Sequence, residues 1–362
     1  MIKGEIEMKA TAQRMERIAR AAGAACIVLT LASVTDGAQA LDLKDKTVTI
    51  YVGGGTGGGV DAYARTIAPY FQKHLPGNPP VVVSNMPGAG GAQAVQYLYN
   101  VAPKTGVAIG STNVGPIADP FLEKVPSNYD VSKFAWIGSL AKGNTVCAVW
   151  HTVNVSSIED VKNRVVTVAT TGARSAPTRS ALLMNSFIGT KFKPISGYTG
   201  GTALLALERG EVDATCTTLN SLRTTRPQWI SDGSLKILVH VAMDVDPEFN
   251  KVPRAFDFIK DAKDRDALEF FLLPYEFNNP FYLPPGVSGE AVKAWRAAFD
   301  AAVADPDYKA DSAKRQQDVE VKTGDEVEAL VKKLFATPAG VIKRTIEAID
   351  PTGKVEEIPQ PK

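Results

Sequence analysis

Cysteine and histidine are scarce in this chain, with three of each among 362 residues. Neither type clusters. His74, His151 and His240 stand far apart, and no H-E-x-x-H or C-x-x-C pair occurs, so the ligand spacings of a zinc site are missing. A G-x-S-x-G nucleophile elbow is missing as well, and with it the usual strand-to-helix presentation of a hydrolytic serine. No catalytic residue, metal site or cofactor is therefore expected. Isolated histidines in such a chain are most simply structural. An excess of one charge is also lacking. Residues 1–40 hold five of the 40 Lys and Arg and four of the 39 Asp and Glu, which leaves 35 of each beyond Ala40. A chain so balanced offers no electrostatic footprint for nucleic acid.

Long apolar runs are absent after the first forty residues. Within them, Lys9, Arg14, Arg17 and Arg20 precede an apolar stretch from Ala21 to Val34, and Ala38-Gln-Ala40 follows. A basic segment, a short apolar core and an A-x-A site are the parts of a secretory signal peptide, read here as residues 1–40 with cleavage after Ala40. The apolar stretch is short for a bilayer span. Cys147 and Cys216 remain beyond it, each in an apolar strand-like run. In an oxidising compartment they could pair, but a buried free thiol is the commoner outcome and the expectation here.

What the chain has in quantity is glycine, and one stretch concentrates it. Val48 to Val52 is a β-branched apolar run that reads as a buried strand. Gly53-Gly-Gly-Thr56-Gly57-Gly-Gly59 follows, and then Val60, Tyr63, Ala64, Ile67, Ala68 and Phe71 recur at helical spacing, so a helix starts near Asp61. Strand, glycine loop and helix start together aim free backbone N–H groups at a small anion, and glycine lets the backbone approach closely. Gly53, Gly55 and Gly58 formally satisfy G-x-G-x-x-G. The dinucleotide fingerprint also wants an acid after the second strand, where this chain has Ser84-Asn85-Met86-Pro87. No G-K-[ST] ending makes a P-loop. A small-anion cradle is the preferred reading; a purely structural turn is the alternative.

The same unit recurs. Strand Val81–Val83 leads to Gly88-Ala-Gly90-Gly91 and the helix Ala92–Asn100. Strand Val107–Ser111 leads to Thr112-Asn113. Strand Val165–Ala169 leads to Thr171-Gly172-Ala-Arg174-Ser175 and the helix Thr178–Ile188. Strand Lys193–Ile195 leads to Gly197-Tyr198-Thr-Gly200-Gly201 and the helix Thr202–Arg209. Further strands are expected at Phe134–Gly138, Thr145–Trp150 and Leu235–Val241, with amphipathic helices at Ala291–Ala304 and Gly324–Phe335. Alternating strands and helices predict an α/β fold of mostly parallel sheets with flanking helices, and ligands outside the carboxyl ends of the strands. The restart of the unit at Val165 divides the chain into a lobe of residues 41–146 and 242–362 and a lobe of residues 147–241. Crossings are expected near Val146–Trp150 and Val239–Ala242.

With Gly53–Asp61, Asn85-Met-Pro-Gly88-Ala-Gly90-Gly91, Thr171-Gly172, Tyr198-Thr-Gly-Gly201, Gly210-Glu-Val-Asp213 and Pro284-Pro285-Gly286, the chain resembles the periplasmic solute receptors of tripartite tricarboxylate transporters, the TctC/Bug family. The resemblance implies a two-lobed Venus flytrap of type II-like periplasmic binding-protein architecture. It would capture a small carboxylate between its lobes and deliver it to the membrane subunits of a transporter. A di- or tricarboxylate, an amino acid or an aromatic acid would all fit, and the receptor would be a periplasmic monomer. Carried over by position, the ligand contacts would be Gly55, Thr56, Gly57 and Asp61; Ala89 and Gly90; Asn113; Thr171, Gly172 and Ser175; and Tyr198 and Gly200. Arg174, between Gly172 and Pro177, is either a solvated loop arginine or a clamp for a second acidic group. A secreted enzyme using the same cleft on an anionic substrate is the alternative, disfavoured by the missing acid–base constellation.

Overall fold

The computed structural model describes residues 41–123, 127–173, 175–198 and 200–350. The expected signal peptide and Arg174 lie outside the described residues. Eleven strands form two sheets among the described residues. The first contains β1 (Val48–Val52), β2 (Val81–Asn85), β3 (Ala108–Ser111) and β4 (Ala135–Ala141). The second contains β5 (Thr145–Trp150), β6 (Val166–Thr170), β7 (Phe192–Ser196), β8 (Ala214–Thr218) and β9 (Leu235–Val241). The chain then returns to the first sheet with β10 (Asn278–Leu283) and β11 (Lys322–Thr323).

The strand order is β11-β4-β10-β3-β1-β2 in the first sheet and β7-β6-β8-β5-β9 in the second. Each sheet has a parallel core. β1 pairs in parallel with β2 and β3, and β6 pairs in parallel with β7 and β8. β10 and β5 join these cores antiparallel, so both sheets are mixed. The β-branched runs bury well: Val48, Ile50, Val52, Val166 and Val168 are fully buried, as strands covered on both faces by helices require.

β10 was not expected, because the sequence Asn278-Asn-Pro280-Phe-Tyr-Leu283 carries a proline, and proline argues against a central strand. The structure accommodates it by register. Only Phe281 and Tyr282 pair with β3, so no β3 bond has to be made at Pro280, which lies opposite Ser139 of β4. A register shift between Phe281 and Tyr282 separates the two stretches of β4 pairing.

Helix Gly59–His74 packs on the first sheet. Phe71 meets Phe281 edge-on at 5.3 Å and Trp295 at 5.2 Å between ring centroids. The Trp295 indole N–H donates to Gly106 O at 2.9 Å. A second apolar cluster is continuous between the two sheets. It includes Phe121 of helix Gly115–Leu122, Phe270 of helix Ala262–Leu272, Phe187 of helix Ala176–Ile188, and Ile342 and Ile346 of helix Ala339–Ile349. The last helix straps the two halves together: the Arg344 guanidinium bonds Asp264 and the Ser186 hydroxyl and lies 4.9 Å from the Phe187 ring centroid.

Cys147 and Cys216 form a disulfide, which corrects the expectation of free thiols. The physical reason is register. β5 and β8 run antiparallel with Cys147 directly opposite Cys216, and the Cα atoms are 4.1 Å apart, so both sulfurs lie on the same face of the sheet. The bond closes a loop with a sequence separation of 69, and a loop of that size restricts the unfolded chain substantially. Replacing both residues (Cys147→Ala with Cys216→Ala) is expected to lower unfolding stability by about 2–4 kcal/mol in urea titrations under oxidising conditions. Wild type with reductant should approach the double variant. A double variant as stable as the oxidised wild type would show that the crosslink is energetically idle.

Candidate functional site

The carboxyl ends of β1, β2 and β3 carry the three glycine-bearing loops of the first sheet, and these loops interlock. A Cβ on Gly91 would lie 2.6 Å from Gly53 O, and one on Gly53 would lie 2.8 Å from the Thr112 hydroxyl oxygen. Only glycine permits that approach. Ala89, Gly90 and Gly91 all have positive φ (47°, 66° and 103°), which turns the loop back over β1. Asn113 binds the third loop to the second. Its Nδ2 donates to Gly90 O at 3.3 Å, while its Oδ1 accepts from Gly115 N at 2.9 Å.

The first loop is held from below by one carboxylate. Asp61 is 2% exposed and stands in the first turn of helix Gly59–His74. Its Oδ2 accepts from Gly57 N at 2.8 Å, and its Oδ1 accepts from Asn85 Nδ2 at 2.9 Å. Arg65 Nε, one turn along the helix, reaches the same carboxylate at 2.9 Å. Asn85 extends the network: its Nδ2 also donates to Gly54 O, and its Oδ1 accepts from Arg65 Nη2 and from the Thr56 hydroxyl. Burial alone would raise the Asp61 pKa; the bonds from Arg65, Gly57 and Asn85 outweigh it and hold the carboxyl below the usual value.

Asp61, the Gly57 N–H and the Thr56 hydroxyl, all nominated as ligand contacts, are thus engaged in shaping the loop. The tip itself remains open. Gly55, Thr56 and Gly57 are exposed, and a Cβ on Gly55 would meet nothing within 4 Å. No side chain caps helix Gly59–His74 at Gly58, so its first-turn N–H groups face the loop with the positive end of the helix dipole behind them. Ala89, Gly90 and Asn113 are also exposed beside this tip.

The second sheet presents the matching ends. After β6, Thr171 is exposed and Gly172 half-buried. Gly172 O accepts from Ser175 N at 3.1 Å and from the Thr178 hydroxyl at 2.7 Å. Ser175 precedes helix Ala176–Ile188, and its side chain makes no cap bond to that helix. Tyr198, half-buried, ties the loop after β7 to β6 through its N–H on Thr170 O at 3.3 Å. Helix Gly200–Glu208 starts just beyond.

Two contacts show that these ends face each other. Arg179, in the first turns of the helix after β6, is 7% exposed and pairs with Asp119 (3.1 Å) in the helix after β3 and with Glu123 at that helix's C-terminal cap. Asn220, in the first turn of the helix after β8, reaches Tyr63 on the helix after β1. Sequence reasoning missed Arg179, Tyr63 and Asn220. The only available signal for the first was the close spacing of two acids, Asp119 in the helix after β3 and Glu123 at its C-terminal cap. Among the described residues, no group of three or more His, Cys, Asp and Glu could hold a metal ion, and no helix is long and apolar enough to cross a membrane. His240 is fully buried between Asn144 Oδ1 and Phe249 O, and burial lowers its pKa.

Among known proteins, the sequence model described as "Tripartite tricarboxylate transporter family receptor" matches residues 63–346. The glycine loop of β1 precedes that match. No curated protein sequence matches the chain. Solved structures share the two-sheet architecture. MatC of Rhodopseudomonas palustris with bound malate has a TM-score of 0.61 at 21% identity, covering 84% of this chain and 99% of its own. An R. palustris protein with adipate has a TM-score of 0.64 at 18% identity, covering 84% and 98%. The periplasmic binding protein BugD has a TM-score of 0.63 at 20% identity, covering 83% and 98%.

Because the folded Asp61 pKa lies below its unfolded value of about 3.9, its contribution to stability is present above that pH and is lost as pH falls through the folded pKa. Asp61→Asn should therefore be less stable than wild type at neutral pH, with the gap narrowing below about pH 4. Urea unfolding at several pH values measures this, and a gap independent of pH would place the ionised carboxylate outside the loop's stability.

Proposed function

We propose, from the premise that this chain belongs to the tripartite tricarboxylate transporter receptor family, that it is a periplasmic receptor for a small carboxylate. The solute is held between the carboxyl ends of the two sheets and handed to the membrane subunits of a transporter. One observation carries the reading: two opposed sets of small-residue loops, each opening a helix that no side chain caps at Gly58 or Ser175. Such an arrangement holds an anion by backbone N–H groups. The malate and adipate in two structural neighbours support a dicarboxylate. In this reading residues 1–40 are the export signal, cleaved after Ala40. The lobes are residues 41–146 with 242–362, and residues 147–241, closing by a hinge, and the receptor acts as a monomer. The solute leaves chemically unchanged, so recovery of intact carboxylate after incubation separates a receptor from an enzyme.

The primary carboxylate is assigned to the Gly55–Gly57 tip with Ala89, Gly90 and Asn113, and the facing side to Thr171, Gly172, Ser175, Tyr198 and Gly200. Asp61 shapes the tip from beneath. A thermal-shift screen over mono-, di- and tricarboxylates tests the function: a ligand at a hundred times its Kd adds about 2.7 kcal/mol of stability. Gly55→Val tests the place. Gly57 has φ 79°, where valine would be strained whatever it touches, whereas Gly55 has open space around it. Bulk at Gly55 should weaken binding at least tenfold, about 1.4 kcal/mol, with the melting temperature of the unliganded protein unchanged. Wild-type affinity by titration calorimetry would move the site elsewhere.

Arg174 is assigned the second acidic group of the solute. Arg174→Ala should cost a dicarboxylate about 2 kcal/mol, within the range of charge-assisted hydrogen bonds, and a monocarboxylate much less. Equal losses for both classes, or none, would leave the arginine a solvated loop residue.

A further inference from the structure

Among the described residues, two of the contacts between the sheets differ sharply in kind. One is the apolar cluster of Phe121, Phe187, Phe270 and Ile342, with Arg179 buried against Asp119 and Glu123. Packed apolar surface of this kind resists separation. The other is small and polar, and joins the helix after β8 to Tyr63 of helix Gly59–His74 and to the segment of residues 315–321, between helix Pro306–Lys314 and β11. Tyr63 is 3% exposed, with its ring in the core of the first sheet. Its hydroxyl donates to Asp318 O at 2.7 Å and accepts from Asn220 Nδ2, across from the second sheet, at 2.6 Å. Arg223, one turn beyond Asn220, donates to Asp318 Oδ2 at 3.2 Å. The guanidinium is itself fixed by two bonds to Asp246, both 2.9 Å, and one to Glu248 at 2.6 Å, in a segment that continues from β9 and stays packed on the second sheet through Phe249.

We propose that Tyr63, Asp318, Asn220 and Arg223 form a latch that holds the two lobes closed. The proposal rests on the receptor reading for its purpose. Every contact in the latch runs between protein groups, so it needs no solute to form. The Arg223–Asp318 pair, with the Asp318 side chain 53% exposed, exchanges with water at little cost, unlike the apolar cluster. This edge therefore parts when the lobes open, while the apolar cluster serves as the pivot. Tyr63 lies two residues beyond Asp61, on the helix whose first turn faces the glycine loop, so the latch and the carboxylate cradle share one rigid element. The latch shifts the unliganded protein toward the closed form and slows solute exchange, because a solute enters and leaves only while it is undone.

The test is small-angle scattering of the unliganded protein, wild type against Tyr63→Phe with Asp318→Ala. The phenylalanine keeps the buried ring, and neither residue is assigned to solute contact. The double variant is expected to show a larger radius of gyration than wild type in low salt. Wild type alone should expand in 1 M NaCl, where the screening length falls to about 3 Å and the Arg223–Asp318 contact weakens. Should the variant fail to fold, the salt series on wild type carries the test. Equal radii for wild type and variant, or a wild type insensitive to salt, would overturn the latch. The readout needs no ligand. A protein that binds no carboxylate but expands on unlatching sinks the receptor reading alone, and one that binds carboxylate at unchanged radius sinks the latch alone.

Discussion

The architecture of the site depends on one buried charge. Asp61 cannot stay ionised at 2% exposure without partners, and the chain supplies three: the Gly57 N–H, the Asn85 amide and the Arg65 guanidinium. Each partner belongs to a different part of the site. Gly57 is the glycine loop, Asn85 ends β2, and Arg65 lies one turn further along the helix. Satisfying one carboxylate therefore locates a loop with almost no side chains of its own. A glycine-rich loop has a large conformational entropy to lose, and this network, with the Gly53–Gly91 contact above it, confines it to one shape.

The same economy governs the relation between the sheets. Their parallel cores direct all the small-residue loops to one end, and the antiparallel strands β5 and β10 sit where the chain passes from one sheet to the other. The disulfide between β5 and β8 stiffens the second sheet at its centre, away from the loops. Rigid sheets that meet through one apolar cluster and one polar edge have few ways to move. The buried Arg179 bridge belongs to the first contact and the exposed Asp318 carboxylate to the second. A charge already half in water loses little on parting from its partner, whereas buried charges without one are costly.

Legibility followed the range of the interactions. The strands β1, β2, β6 and β9 could be read from apolar β-branched runs, and the loop positions from glycine. β10 could not, because its proline is disqualifying until its partners and their register are known. The disulfide was undecidable for the same reason: Cys147 and Cys216 each look like ordinary core residues until β5 and β8 are aligned. Asp61 was visible as a helix-start acid, but its three partners, one of them 24 residues away, were not.

By itself the sequence determined the alternation of strand, small-residue loop and helix, since hydrophobic period and glycine content are local properties of the chain. It also determined that the Gly53–Gly59 loop carries no lysine or arginine, so that loop can offer an anion only backbone N–H groups and a hydroxyl. Tertiary structure alone decided which of those groups remain on offer. The Gly57 N–H, the Thr56 hydroxyl and the Arg179 guanidinium are engaged by Asp61, Asn85, Asp119 and Glu123. Gly57 and Asp61 are only four residues apart, but Thr56 meets Asn85 only once β1 and β2 pair, and Arg179 meets Asp119 only once the two sheets pack.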